Sequence, residues 1–208
     1  MASHSDPRIK KTKQRLKSAL FQLLKNESTK NISIQQIVDT AAITRGTFYL
    51  HYHDKKDFIQ AIINEVTNEF FLACLVDAKA YLDPKVAISE HDVQVFSLRK
   101  GFKFIADNYE TFTVIFKLGR GNAFTDKATQ LFDFYIQLFL KKFDLKQDAK
   151  TLHNQFTADF IVAGLLGITR NWLNDGMIYS PHFMGDKMYI LIHDRMDKKL
   201  DVRDFFVN

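Results

Sequence analysis

Apolar residues in this chain recur at three- and four-residue steps almost from end to end, the period of one buried helix face. Leu16, Ala19, Leu20, Leu23 and Leu24 form a first stripe, with Lys10, Lys13 and Lys17 on other faces. A loop at 26–31 leads to Ser33, and Ile34, Ile37, Val38 and Ala41 make a second, shorter stripe. Ser33 and Gln36 have the S-x-x-Q spacing of a capping box, which marks where that helix starts. Ala42 and Ile43 break the pattern, and Thr44 is a second N-cap for the run Arg45 to His51. From Lys55 a long helix through Phe58, Ile62, Ile63, Val66, Phe70 and Ala73 is predicted to reach about Leu82, where Asp83-Pro84 stops it. Further helices are predicted near 92–106, 108–118, 124–143, 149–175 and 182–198. Their separators are Gly119 to Gly121, Asp144 to Asp148 and Gly176 to Pro181. No run alternates like a strand, so the expected fold class is all-α, with about nine helices in two domains.

The pair of short helices at 33–52 has the form of a helix-turn-helix. In that motif the second helix lies in the major groove with its first residues against base edges. Arg45 suits guanine O6 and N7, and Thr44 and Thr47 can hydrogen-bond either base or touch a thymine methyl. Gly46 has no side chain, so the backbone there can come close to a phosphate.

Charge reinforces this reading. Residues 1–60 hold eleven Lys and Arg against five acids, a net of +6 in a chain whose total is +5. The basicity is therefore confined to the end with the two-helix motif, as in a DNA-binding domain. The plainer alternative for such a run is a solvated basic helix.

The segment 8–60 resembles the N-terminal domain of the TetR family of bacterial transcriptional regulators. Ile37-Val38, Ala41, Ile43-Thr44, Gly46-Thr47-Phe48-Tyr49, Tyr52, Lys55 and Phe58 carry the resemblance. Ala42 stands where the family usually has a turn glycine, Tyr52 where Phe is usual, and Phe58 where Leu is commoner. A positive φ at Ala42 would cost on the order of 1 kcal/mol. The resemblance implies a helix-turn-helix head at 8–60 and a helical effector-binding and dimerisation domain at 61–208. It also implies phosphate contacts from Tyr49 and from Lys55 at the start of the next helix. The DNA-facing set expected is Ser33, Thr44, Arg45, Gly46, Thr47, Tyr49, His51 and Lys55. Phe48 and Tyr52 read as core. His51 and His53 point to different sides of a helix and make a poor metal pair.

Composition bounds the rest. The chain has 208 residues, 46% hydrophobic, with 20 Phe. No stretch is apolar for long enough to span a membrane. The first residues lack an apolar signal core, so a cytoplasmic location is expected. Cys74 is alone, which excludes an internal disulfide. There is no G-x-S-x-G, P-loop or H-E-x-x-H, and no catalytic residue, metal or cofactor is assigned.

The aromatic stripes of the larger domain read two ways, as core or as the wall of an apolar ligand cavity. Phe102, Tyr109, Phe112, Phe116, Phe134, His153 and Arg170 are the candidate effector contacts. In 156–173, Ala163, Gly164 and Gly167 leave a small-residue face between bulky Phe156, Phe160 and Trp172. The next helix offers Met184, Met188, Ile190, Leu191 and Ile192. These surfaces are either monomer core or, as the resemblance implies, a four-helix dimer interface. The segment GLLGITRNWLNDGMIYSP is also similar to the C-terminal domain of a branch of the family from Gram-positive bacteria. The expected function is a homodimeric, sequence-specific regulator, a repressor of a palindromic operator in double-stranded DNA, released by an unknown small-molecule or protein effector. The rivals are control by a protein partner, a sequence-independent DNA binder, and a helical enzyme with a dispersed site.

Overall fold

The computed structural model describes residues 6–81, 93–117, 123–145, 149–194 and 200–208, with side chains excepted at 149–151. Among them are nine α-helices: α1 (Pro7–Leu24), α2 (Ile34–Thr40), α3 (Arg45–Tyr49), α4 (Lys55–Cys74), α5 (Leu98–Asp107), α6 (Tyr109–Lys117), α7 (Ala123–Lys142), α8 (Ala149–Asn174) and α9 (Pro181–His193). No helix of the described residues is long and apolar enough to cross a membrane.

The first three helices and the start of α4 close around one small core. Leu16, Leu20, Ile32, Ile37, Val38, Phe48 and Phe58 are fully buried there. The rings of Phe48, Tyr52 and Phe58 meet at centroid separations of 4.8 to 5.6 Å. Tyr52 is buried, and burial raises its phenol pKa above the usual value. Lys17 of α1 bridges Glu65 (2.9 Å) and Glu69 (3.0 Å) of α4. Burial alone would lower its pKa, but hydrogen bonds to the two carboxylates raise it.

Helix α4 continues out of this head into a second core. Phe70 and Phe71 at its far end pack edge-on against Phe96, Phe112 and Phe132 of the body. Cys74 lies fully buried beside them, and burial pushes its thiol up to about 12. A surface ion pair, Lys25 to Glu110 (2.8 Å), also joins the end of α1 to α6.

The structure differs from the sequence expectation around a small sheet and at the end of α9, which stops at His193. The long helix ends at Cys74 instead of about Leu82, because Leu75–Asp77 forms a strand (β1) paired antiparallel with Gln94–Ser97 (β2). Phe206–Val207 (β3) joins β2 in parallel, so a three-stranded patch sits within an otherwise helical body. Residues 94–97, expected at the start of a helix, belong to this patch, and α5 begins at Leu98 with Ser97 as its N-cap. A 3-10 turn at Val202–Phe205 brings Phe205 and Phe206 into the core, where Phe206 lies against Phe96 and Phe132. The expected breaks at Asp83-Pro84 and Gly119 to Gly121 fall outside the described residues.

Helices α5 and α9 approach very closely. A Cβ on Gly185 would lie 2.9 Å from Arg99 Cγ and 3.0 Å from its Cα. The Arg99 guanidinium donates to Asp186 at 2.7 Å, and Asn208 donates to the same carboxylate at 2.8 Å. The Arg99 hydrogen bond, ahead of that from Asn208, holds the Asp186 carboxyl below the usual carboxylate range.

Candidate nucleic-acid interface

Two caps and one long side chain set the geometry of the head. Ser33 accepts from the backbone N–H of Gln36 (3.1 Å), and the Gln36 side chain accepts from the backbone N–H of Ser33 (2.7 Å). Thr44 accepts from the backbone N–H of Thr47 (3.1 Å), and the two threonine hydroxyls are 2.9 Å apart. Between the helices Ala42 adopts φ +50°, a left-handed conformation that costs a residue with a Cβ roughly 1–2 kcal/mol. Arg15 reaches from α1 to donate to the Ala42 carbonyl at 2.7 Å, which holds the turn in place without a glycine.

The exposed edge that results is α3. Arg45 is exposed, and among the described residues its guanidinium has no hydrogen bond or ion pair. Tyr49 is 49% exposed; its ring rests edge-on against Phe48 at 5.5 Å, and its hydroxyl has no hydrogen-bond partner among the described residues. A Cβ on Gly46 would meet nothing nearer than the Thr44 hydroxyl at 3.7 Å, so the fold itself makes no demand for glycine there. His51 is half-buried beside Tyr52, and Ser33 is an exposed cap. Arg45, Gly46, Thr47 and Tyr49 are therefore brought to one short helix, with the Arg45 guanidinium and the Tyr49 hydroxyl outward and the Thr47 hydroxyl hydrogen-bonded to that of Thr44. Thr44 stands at its base, its hydroxyl engaged in capping.

Lys55 is placed differently from the expectation. Its ammonium donates to the carbonyls of Ile32 (2.8 Å), Thr29 (3.0 Å) and Lys30 (3.4 Å). All three donors face the end of the loop before α2, so in this structure the side chain holds that loop and leaves no proton for a phosphate. The motif match gives no sign of this, because it depends on where the 29–32 carbonyls point. Lys17 and Lys25 of the basic segment are likewise occupied by Glu65, Glu69 and Glu110.

The seven effector candidates are not gathered at one place. Phe102, Phe112 and Phe116 are buried in the body core, and only about 30 Å³ of free space remains where Phe102 and Phe116 meet Phe70, Phe96, Phe124 and Phe132. That is room for about one water, so the aromatic stripes are core. Tyr109 is half-buried against the same core, Phe134 is 55% exposed, and His153 is exposed. Arg170 lines a separate groove between α7 and α8, which no sequence signal marked.

The expected contact face on α8 and α9 divides. Trp172 is buried against Phe102 and donates from its indole to the Tyr179 carbonyl at 2.9 Å, and Met184 and Met188 are buried too. These belong to the monomer. Phe156, Phe160, Ile190 and Leu191 are exposed, Phe160 by 80%. A Cβ on Gly164 or Gly167 would meet nothing within 4 Å.

The comparisons with known proteins agree with this architecture. A family model described as a transcriptional regulator C-terminal region matches residues 97–194. An HTH-type transcriptional regulator of Staphylococcus aureus is 30% identical over 144 residues, which is 67% of this chain and 73% of that relative. The uncharacterized HTH-type transcriptional regulator YxbF of Bacillus subtilis is 22% identical over 180 residues, covering 86% of this chain. This chain spans only 44% of YxbF's length. Among solved structures, the fatty acid degradation regulator FadR of Bacillus halodurans superposes with a TM-score of 0.62 at 14% identity, over 94% of this chain and 100% of that one. With the head and its relatives both in view, the chain belongs to the TetR family of helix-turn-helix transcriptional regulators.

Proposed function

We propose that the chain works as a homodimer that binds a palindromic operator through α3 and is released by an effector bound in the body. In this reading residues 8–60 are the DNA-binding head and residues 61–208 the effector-binding and dimerisation part. The observation that carries it is the set of unpartnered groups on α3. They sit on an edge built by two caps: among the described residues no hydrogen bond or ion pair engages the Arg45 guanidinium or the Tyr49 hydroxyl, and open space lies over the Cα of Gly46. Arg45, Thr47 and the methyl of Thr44 read bases, Tyr49 and the close backbone at Gly46 take phosphate, and Ser33 and His51 flank them. The cations of the first turns of α1, Arg8, Lys10, Lys11 and Lys13, which have no ion pair among the described residues, add phosphate contacts. Lys55 acts by fixing the loop in front of α2.

The exposed side chains of Phe156, Phe160, Ile190 and Leu191, beside a Gly164 that nothing in the chain crowds, support pairing of α8 and α9 with their two-fold mates. Two-fold symmetry then sets two recognition helices about 34–36 Å apart, or at multiples of that. The reading gives the chain no catalytic step. Release of the operator by the effector makes the regulator a repressor.

Selection of bound duplexes from a random pool tests this directly. Enrichment of a palindrome is expected; salt-sensitive retention with no enriched motif would end the claim of sequence specificity. Sedimentation at micromolar concentration is expected to show a dimer, with a monomer there defeating the α8–α9 assignment.

A further inference from the structure

We propose that the groove between α7 and α8 is an effector site for an elongated organic monoanion, with Arg170 as the anchor of its carboxylate. This deepens the effector-responsive reading above and names the ligand class. The groove measures about 520 Å³, within the size range of small-molecule sites. Its floor is Ile136, Ala158, Val162 and Leu166.

Arg170 occupies one end. Its guanidinium carbon lies 5.8 Å from the centre of the Phe116 ring. Its Nε is shielded from water and, among the described residues, has no hydrogen-bond partner. Asp133 and Asp159 also line the groove, yet neither pairs with it. A guanidinium backed by an aromatic ring and without a counter-ion among the described residues is a site for a carboxylate, which its planar fork binds in two-point fashion. Thr125 and Thr129 of α7 line the groove as well.

The other end sets the second half of the specificity. Arg170 and Asp159 are eleven residues apart on one helix, about 16 Å at 1.5 Å per residue. Helices α7 and α8 follow one another through a short connection, so they run antiparallel, and Asp133 falls toward the Asp159 end. The groove is thus cationic at one end, apolar between, and doubly acidic at the other. A chain with one carboxylate fits this sequence of environments. A second negative charge would lie against Asp133 and Asp159, and a cationic head would meet Arg170.

Calorimetric titration of the full chain with three ten-carbon probes tests this: decanoate, decylammonium and the dicarboxylate sebacate. Decanoate is expected to bind at least tenfold more tightly than decylammonium and at least threefold more tightly than sebacate. Arg170→Gln is expected to weaken decanoate at least tenfold. Because that change also removes the contact with Phe116, a second variant is needed. In Gly167→Leu the added side chain enters the groove where nothing lies within 4 Å of a Cβ, so it blocks the site without crowding the core. It too is expected to lose decanoate at least tenfold, with a melting temperature at or above that of the wild type. Equal binding of decanoate and decylammonium, or decanoate affinity unaffected by Gly167→Leu, overturns the proposal. The titration involves no DNA, so failure here is distinct from failure of the regulator reading, which the duplex selection measures by itself.

Discussion

The recognition helix α3 and the α5–α9 seam of the body both depend on glycine, but for opposite reasons. At the seam, Gly185 is demanded from within, since any side chain would strike the Arg99 backbone. On α3, Gly46 has open space around its missing side chain, and among the described residues the neighbouring Arg45 guanidinium and Tyr49 hydroxyl have no hydrogen-bond partner. A small residue that its own fold does not need, beside polar groups without partners, marks where an outside surface makes the demand. Gly164 and Gly167 on α8 share that property, in keeping with a dimer face and a ligand groove.

This contrast can be broken by substitution. The largest effect is expected at the seam: Gly185→Val should lose about 3 kcal/mol of stability, the upper range for forced overpacking, in equilibrium urea unfolding. A wild-type midpoint there would erase the distinction between the two kinds of glycine. Arg45→Ala should leave unfolding unchanged and lose roughly 1–3 kcal/mol of operator affinity, with relaxed preference at one base pair per half-site. Mobility shifts on an operator variant panel measure it, and unchanged selectivity would remove Arg45 from the reading set. Lys55→Met should cost about 1–2 kcal/mol of stability, because three carbonyls lose their donor. Its salt dependence of operator binding should keep the wild-type slope; a slope reduced by about one ion per half-site would return Lys55 to the phosphates. Gly46→Ala should raise stability by about 0.5 kcal/mol, as alanine does in a helix, while weakening the operator about tenfold. Improved folding with undiminished DNA binding would mean that no phosphate comes close there. Ala42→Gly should give the smallest change, a gain of about 0.5 kcal/mol, since relief of the left-handed backbone is partly offset by a freer unfolded chain. Loss of stability in this variant would show that Arg15 and the Ala42 methyl together hold the turn better than glycine does.

The head was legible in the sequence because its determinants are local. Ser33 with Gln36, and Thr44 with Thr47, lie three residues apart, and the structure forms both caps. Even the strained φ at Ala42 was visible as an alanine in a glycine position. The helical period likewise located α6, α7 and α8 to within one residue at each end, but it began α5 six residues early and carried α9 beyond His193. The strand patch was not legible. Its members are two to four residues long and pair across gaps in sequence, and the apolar run from Phe70 to Val76 has no break signal of its own. Side-chain destinations were harder still. Nothing near Lys55 in sequence shows that it faces three carbonyls, and nothing near Arg170 shows that its partners are a ring and a groove. The aromatic stripes left core and cavity both open, because aromatic rings fill space as readily as they enclose it, and here they fill it.

Helix α4 has one end in each core, with Phe58 and Ile62 buried in the head and Phe70 and Phe71 in the body. It is 20 residues long, about 30 Å of rigid rod. A rod of that length amplifies: tilting its body end by about 5° swings the other by about 2.6 Å. In a two-fold pair the swings occur on both sides, so the spacing between recognition helices changes by up to about twice that. A modest rearrangement among phenylalanines thereby becomes a mismatch in reach along the duplex.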